Sequence, residues 1–184
     1  MSAPVGPFLV IGIGNTLLRD EGVGVHLLRA LEQRVARGEV SLPPETRLID
    51  GGTLGLDLLP LLAGARAILF LDAVDLGLAP GAVRTLRGDA LQPRGGGARA
   101  MRPAGIGDLL ATARLADALP AATGLVGVQP AEIAPGLELT GVVRAALPSA
   151  IAATIAELRR LDADGAAPGL RTSETGHQLA RSAA

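Results

Sequence analysis

Two runs of aliphatic residues, PFLVIGIG from Pro7 and RAILFLDAV from Arg66, show no alternation of polar and apolar side chains. A strand with one face in water alternates, and a strand covered on both faces does not, so such runs belong inside a sheet layered between helices. The neighbouring segments agree. After the first run, Val23, Val25, Leu27, Leu28 and Leu31 fall among Arg29, Glu32, Gln33 and Arg34 at helical spacing, and Gly38 closes the pattern. TRLIDGG reads as a second strand, and Thr53 stands where it can cap a helix over LGLDLLPLLAGA that Pro60 should shorten or kink. GAVRTLRG alternates enough to be an edge strand, IGDLLATARLADAL is helical, and TGLVGVQP is a strand. A last long helix is expected from about Thr140, capped by its hydroxyl and bent at Pro148.

Strands alternating with helices predict an α/β fold: a three-layer domain with a central, mostly parallel twisted sheet of about five strands flanked by helices, of the phosphorylase/hydrolase-like kind. With 184 residues the chain is long enough for one domain with a full core. We place that domain at residues 1–161. The stretch DALQPRGGGARAMRPAG lacks periodicity and is expected to be a mobile loop. From Asp162 onward apolar content falls, so residues 162–184 are expected to form a disordered tail.

Composition narrows the function classes. Net charge is −1, all 17 basic residues are arginines scattered along the chain, and neither Trp nor Tyr is present. That leaves no basic stripe and few stacking platforms, so no nucleic-acid partner is expected. The absence of cysteine excludes disulfides and thiolate chemistry. With no leader pattern and every long apolar run interrupted, no membrane partner is expected and the protein is read as cytoplasmic.

In a parallel sheet of this kind, ligands bind beyond the carboxyl ends of the strands. The first strand delivers Asn15, Asp20 and Glu21 there, the second Asp50, and the third Asp72 and Asp75. A phosphate cradle is one reading of GIGNTLLRDEG. Gly12 and Gly14 suit the first two places of a dinucleotide fingerprint, but Leu17 occupies the third and Asp50 lies 36 positions past Gly14. Two carboxylates beside that site would repel phosphate, and the chain has no lysine. A metal reading draws oxygen ligands from Glu21 and Asp72. Nitrogen donors are scarce: His26, five residues past Glu21 on the same helix, faces away from it, and His177 lies in the tail. Structural roles stand beside these. Asp50 is equally read as a loop or helix cap, Glu21 as a favourable charge at a helix start, and Asp57 and Asp108 as first-turn helix acids.

The segments GIGNTLLRDEGVGVHLLRALE, LIDGGTLGLDLL, ILFLDAVDLGLAPGAV, GIGDLLATARL and LVGVQPAEIAPGLELTGVVRAAL, in that order, resemble the nickel-iron hydrogenase maturation endopeptidases over about residues 8–160. The resemblance implies removal of a C-terminal extension from the nickel-iron hydrogenase large-subunit precursor after nickel insertion, with the precursor's nickel as the recognised cofactor. It puts the metal-binding glutamate on Glu21, the strand-end aspartate on Asp72 and the activity-linked aspartate before two glycines on Asp50. Each of the three is thereby a catalytic candidate. The family's histidine ligand, in an S-P-H-Q-x-G loop, falls on Arg102 by counting back from Gly105.

Guanidinium has no free lone pair and ligates no metal. Arg102 therefore opens several readings. It is an ion-pair partner for Glu21 and Asp72 in a non-proteolytic assembly factor, or it marks a shifted loop whose site Asp75 or a substrate group completes, or it is a solvated loop residue beside a weaker two-carboxylate site.

Overall fold

The computed structural model describes residues 6–91 and 106–166. Five strands form one sheet in the order β2-β1-β3-β5-β4. β1 (Phe8–Ile13), β2 (Thr46–Gly52), β3 (Ala67–Ala73) and β5 (Thr123–Val128) run parallel, while β4 (Val83–Arg87) pairs antiparallel with β5. The unalternating runs occupy the interior: β1 and β5 are buried at every position, and β3 at all but its last. β2 and β4 are the edges and carry the alternating, partly exposed patterns.

Helices α1 (Val23–Ala36) and α4 (Gly141–Ala166) cover one face. Leu27, Leu28 and Leu31 of α1 and Val143, Ile151, Leu158 and Leu161 of α4 share a core with Phe8, Val10, Leu69, Leu71 and Val126. The short α2 (Leu59–Leu62) and α3 (Ile106–Leu115) cover the other face, where Leu58, Leu62, Leu109 and Leu110 pack on Leu9, Ile11, Phe70 and Leu125. Each large aliphatic side chain removed from water in this way contributes about 1.5–3 kcal/mol. α4 is long and apolar enough to cross a membrane by length and composition. Here its apolar face closes the core, and Glu157 and Arg160 on it form ion pairs.

The chain passes from β1 to β2 on one side, then returns across β1 to β3 on the other. The crossovers leave the sheet by opposite faces, α1 on one and α2 on the other, so the gap beyond the ends of β1 and β3 is a topological switch point.

Four local expectations change. Thr53 caps nothing: Leu54 precedes a 3-10 turn over Gly55–Leu58 without a side-chain cap, and α2, with Pro60 in its first turn, lasts a single turn. The Thr140 hydroxyl donates to Asp20 instead of capping α4. α4 accommodates Pro148 and runs on to Ala166, past the boundary set at residue 161, and Asp162 within it pairs with Arg66. The segment expected to be a mobile loop begins with a 3-10 turn, Gly88–Leu91; its continuation from residue 92 to 105, with Arg102, lies outside the described residues, as do His177 and the rest of the tail beyond residue 166.

Candidate active site at the carboxyl rim of the sheet

The glycines of the first strand-to-helix turn work as spacers. Gly24 in the first turn of α1 lies so close to the sheet that a Cβ there would sit 2.1 Å from the Leu71 carbonyl oxygen and 2.3 Å from that of Ile13. Gly14 has φ of +132°, and a Cβ on it would meet the Glu21 carbonyl oxygen at 1.9 Å. Both positions require that no side chain intervene. The loop folds back on itself as a 3-10 turn, Arg19–Gly22, packed against β3 and carrying Glu21 to the end of the strand that bears Asp72.

Asp72 is the penultimate residue of β3, opposite Gly127 of β5, and is nearly fully buried. Its Oδ1 accepts the Ala73 amide at 2.7 Å. Burial pushes its pKa up to about 8; the Ala73 hydrogen bond opposes this, and the charge of Glu21 adds to it. Near neutral pH Asp72 is therefore mostly a carboxylic acid, and a cation entering between the two groups would displace its proton. Glu21 is half-buried. The structure brings these two acids within electrostatic reach of one another.

Asp50 belongs to β2, beside β1. It lies opposite Gly12 on β2, is exposed, and accepts from Arg29 of α1 at 3.2 Å. Asp75, in the loop after β3, accepts from the Gly77 amide at 3.2 Å and from Gln129 Nε2 at 3.1 Å. His26 is partly buried on α1, and its Nε2 has no hydrogen-bond partner among the described residues. Burial holds its pKa below the usual histidine value, with the positive charges of Arg29 and Arg144 acting in the same direction and Glu138 against them. Asp57 and Asp108 sit in the first turns of their helical segments. Among the described residues no group of three His, Asp or Glu side chains is arranged to hold a metal ion.

Two residues organise the rim: Asp20, which the sequence delivers there with no role attached, and Gln129, which it does not single out. Asp20 is fully buried and accepts from the amides of Ala131, Glu132 and Thr140 and from the Thr140 hydroxyl. Burial tends to raise its pKa, but these hydrogen bonds outweigh that and hold it below the ordinary carboxylate range. Gln129, buried at the end of β5, accepts the Leu76 and Leu78 amides at 2.8 and 3.2 Å. A signal existed in each case: an acid doubled beside Glu21, and a polar residue ending an apolar strand.

The sequence profile of a family described as hydrogenase maturation protease matches residues 25–157. Among curated relatives, the hydrogenase expression/formation protein HupD of Rhodobacter capsulatus is 42% identical over 154 residues, covering 82% of this chain and 70% of that protein. The hydrogenase 2 maturation protease of Escherichia coli is 35% identical over 152 residues, 82% of this chain and 90% of its own. The solved structure of the hydrogenase maturating endopeptidase HybD from Escherichia coli superposes with a TM-score of 0.71 at 33% identity, over 84% of this chain and 93% of that one.

Proposed function

The chain belongs to the hydrogenase maturation protease family, and from that premise we propose that it is an endopeptidase removing the C-terminal extension of a nickel-iron hydrogenase large-subunit precursor once nickel is in place. Nickel arrives as part of the substrate. Glu21 and Asp72 supply two carboxylate oxygens to it, Asp72 losing its proton as it does so, and the precursor's own ligands complete the coordination. A water molecule then adds to the scissile carbonyl carbon, Asp50 accepts its proton, and the carbon-nitrogen bond breaks with a proton delivered to the departing amine. We place the reaction in the cytoplasm.

The observation that supports this reading best is the meeting of Glu21 with the buried Asp72 at the switch point, in a protein whose described residues offer no third ligand. A site built of two donors suits an ion that comes already held by a partner. The test is the mass of nickel-loaded precursor incubated with the purified protein: wild type shortens it and Glu21→Gln does not. Arg102, standing where the resemblance calls for histidine, carries the second reading. Stable binding of a precursor whose mass never changes identifies an assembly factor without protease activity.

A further inference from the structure

Asp20 connects the turn that carries Glu21 to a segment more than a hundred residues away. Its Oδ2 accepts the Ala131 and Glu132 amides at 2.9 and 3.1 Å and the Thr140 hydroxyl at 2.8 Å, and its Oδ1 accepts the Thr140 amide at 2.7 Å. One buried carboxylate therefore spans both ends of the loop between β5 and α4. The backbone reinforces the link: Leu18 and Gly136 form a parallel bridge, the Arg19 amide donates to the Gly136 carbonyl at 2.9 Å, and the Gly136 amide donates to Leu17 at 2.9 Å.

The turn is held in a conformation it would not choose alone. Arg19 has φ of +49°, a left-handed geometry that is unfavourable for a residue with a side chain. Such a residue persists where its surroundings over-determine it, and here the determinant is the anchored Asp20 beside it. At its β5 end the same loop also holds the segment after Asp72, because the Gln129 side chain accepts from Leu76 and Leu78 and donates to Asp75. The turn bearing Glu21 and the loop following Asp72 are both fastened to one element.

We infer that Asp20 is a positioning residue for the proteolytic reaction: its carboxylate, clamped by Thr140 and the β5–α4 loop, fixes the backbone from which Glu21 reaches toward Asp72. This rests on the proposed function insofar as Glu21 is the group being positioned. A misplacement of about 1 Å in a catalytic group costs on the order of a hundredfold in rate. Asp20→Asn turns an amide toward the donors that Asp20 accepts from, and Thr140→Val removes the hydroxyl arm alone, whereas Thr140→Ser retains it.

The test combines precursor cleavage with amide exchange. Folded Asp20→Asn is expected to lose about a hundredfold in kcat with KM within about threefold of wild type, Thr140→Val to lose less, and Thr140→Ser to recover wild-type turnover. Amide exchange at Arg19 and Glu21 rises in the first two variants and stays at the wild-type rate in Thr140→Ser. Full turnover in folded Asp20→Asn and Thr140→Val, with Glu21→Gln inactive, overturns the inference and leaves the proposed function standing. Cleavage by Glu21→Gln overturns the proposed function instead. If no precursor is cut by any form, exchange decides: unchanged rates at Arg19 and Glu21 in Asp20→Asn refute the brace.

Discussion

Arg29 on the first helix reaches Asp50 at the end of β2, with 3.2 Å between Nη2 and Oδ2. The two side chains are about half exposed, so water screens the pair and its contribution to stability is about 1 kcal/mol or less. Its interest lies in orientation. The Asp50 side chain is held toward α1 by Arg29, which fixes its place at the rim. Replacing each partner separates the two roles. Asp50→Asn removes the base and should lower kcat by about 10²–10⁴-fold. Arg29→Ala leaves the base and should lower kcat by about tenfold or less, the order of one half-exposed hydrogen bond. Equal losses in the two variants, measured on the same precursor, would show that Asp50 acts through the ion pair and not as a base.

Asp72 gives the pH dependence a definite sign. Its folded pKa of about 8 lies above the ordinary value of 3.8, so between those limits the folded chain holds a proton that the unfolded chain has released. The stabilising effect of that proton is fully present below pH 3.8 and is lost as pH rises through 8. Asp72→Asn removes the ionisation while leaving an oxygen for the Ala73 amide. The variant should therefore gain on wild type by up to about 1.4 kcal/mol per pH unit across that window, while losing cleavage. Urea unfolding of both proteins at several pH values measures the difference, and parallel stability curves would refute it. Because burial is the leading cause and Glu21 a lesser one, Glu21→Gln should move the window down without abolishing it.

The approach of α1 to the sheet at Gly24 allows a stability test of the turn itself. A methyl group there meets two backbone carbonyl oxygens, those of Leu71 and Ile13, and neither belongs to a flexible side chain that can move aside. Gly24→Ala should destabilise the fold by about 3 kcal/mol or more, at the upper end of overpacking penalties. It should also displace the helix that follows the Glu21 turn. A thermal midpoint within a degree of wild type would mean that the helix lifts at little cost.

The legible parts of this molecule are those fixed by local pattern. Unbroken apolar runs located β1 and β3, alternation located the edge β4, and strand ends located Glu21 and Asp72 at one rim. The misread parts depend on long-range partners. Thr140 reads as a cap because its hydroxyl precedes a helix, but Asp20, 120 residues earlier, takes that hydroxyl. Asp20 in turn reads only as one more acid beside Glu21, since nothing in the neighbouring residues announces amide donors at Ala131 and Glu132. Asp50 reached the expected rim, yet the direction of its side chain depends on Arg29, whose position follows from how α1 packs. The same dependence on packing explains α4, whose apolar content falls after Leu161 while Arg66 on the sheet side holds Asp162 at 2.8 Å and the helix continues.

Glu157 offers the sharpest measure of how α4 is secured. It is buried against β5, where a Cβ on Gly124 would lie 2.9 Å from its Oε1, and it accepts from Arg87 of the edge strand and from Arg160 one helical turn on. Burial acts to raise its pKa, but the two guanidinium groups outweigh that and hold it below the ordinary carboxylate range. Its contribution is therefore present above the ordinary carboxylate range and lost as pH falls through its lowered folded value. Glu157→Gln keeps the shape and removes the charge. Breaking a fully buried pair from one side costs about 3–5 kcal/mol. Since both arginines retain access to water, the expected loss at neutral pH is smaller, about 1–3 kcal/mol. The difference from wild type should shrink in acid, once wild-type Glu157 is itself protonated. Denaturant unfolding at neutral and acidic pH reads both values, and a gap that stays constant across that range would assign the effect to packing and not to charge.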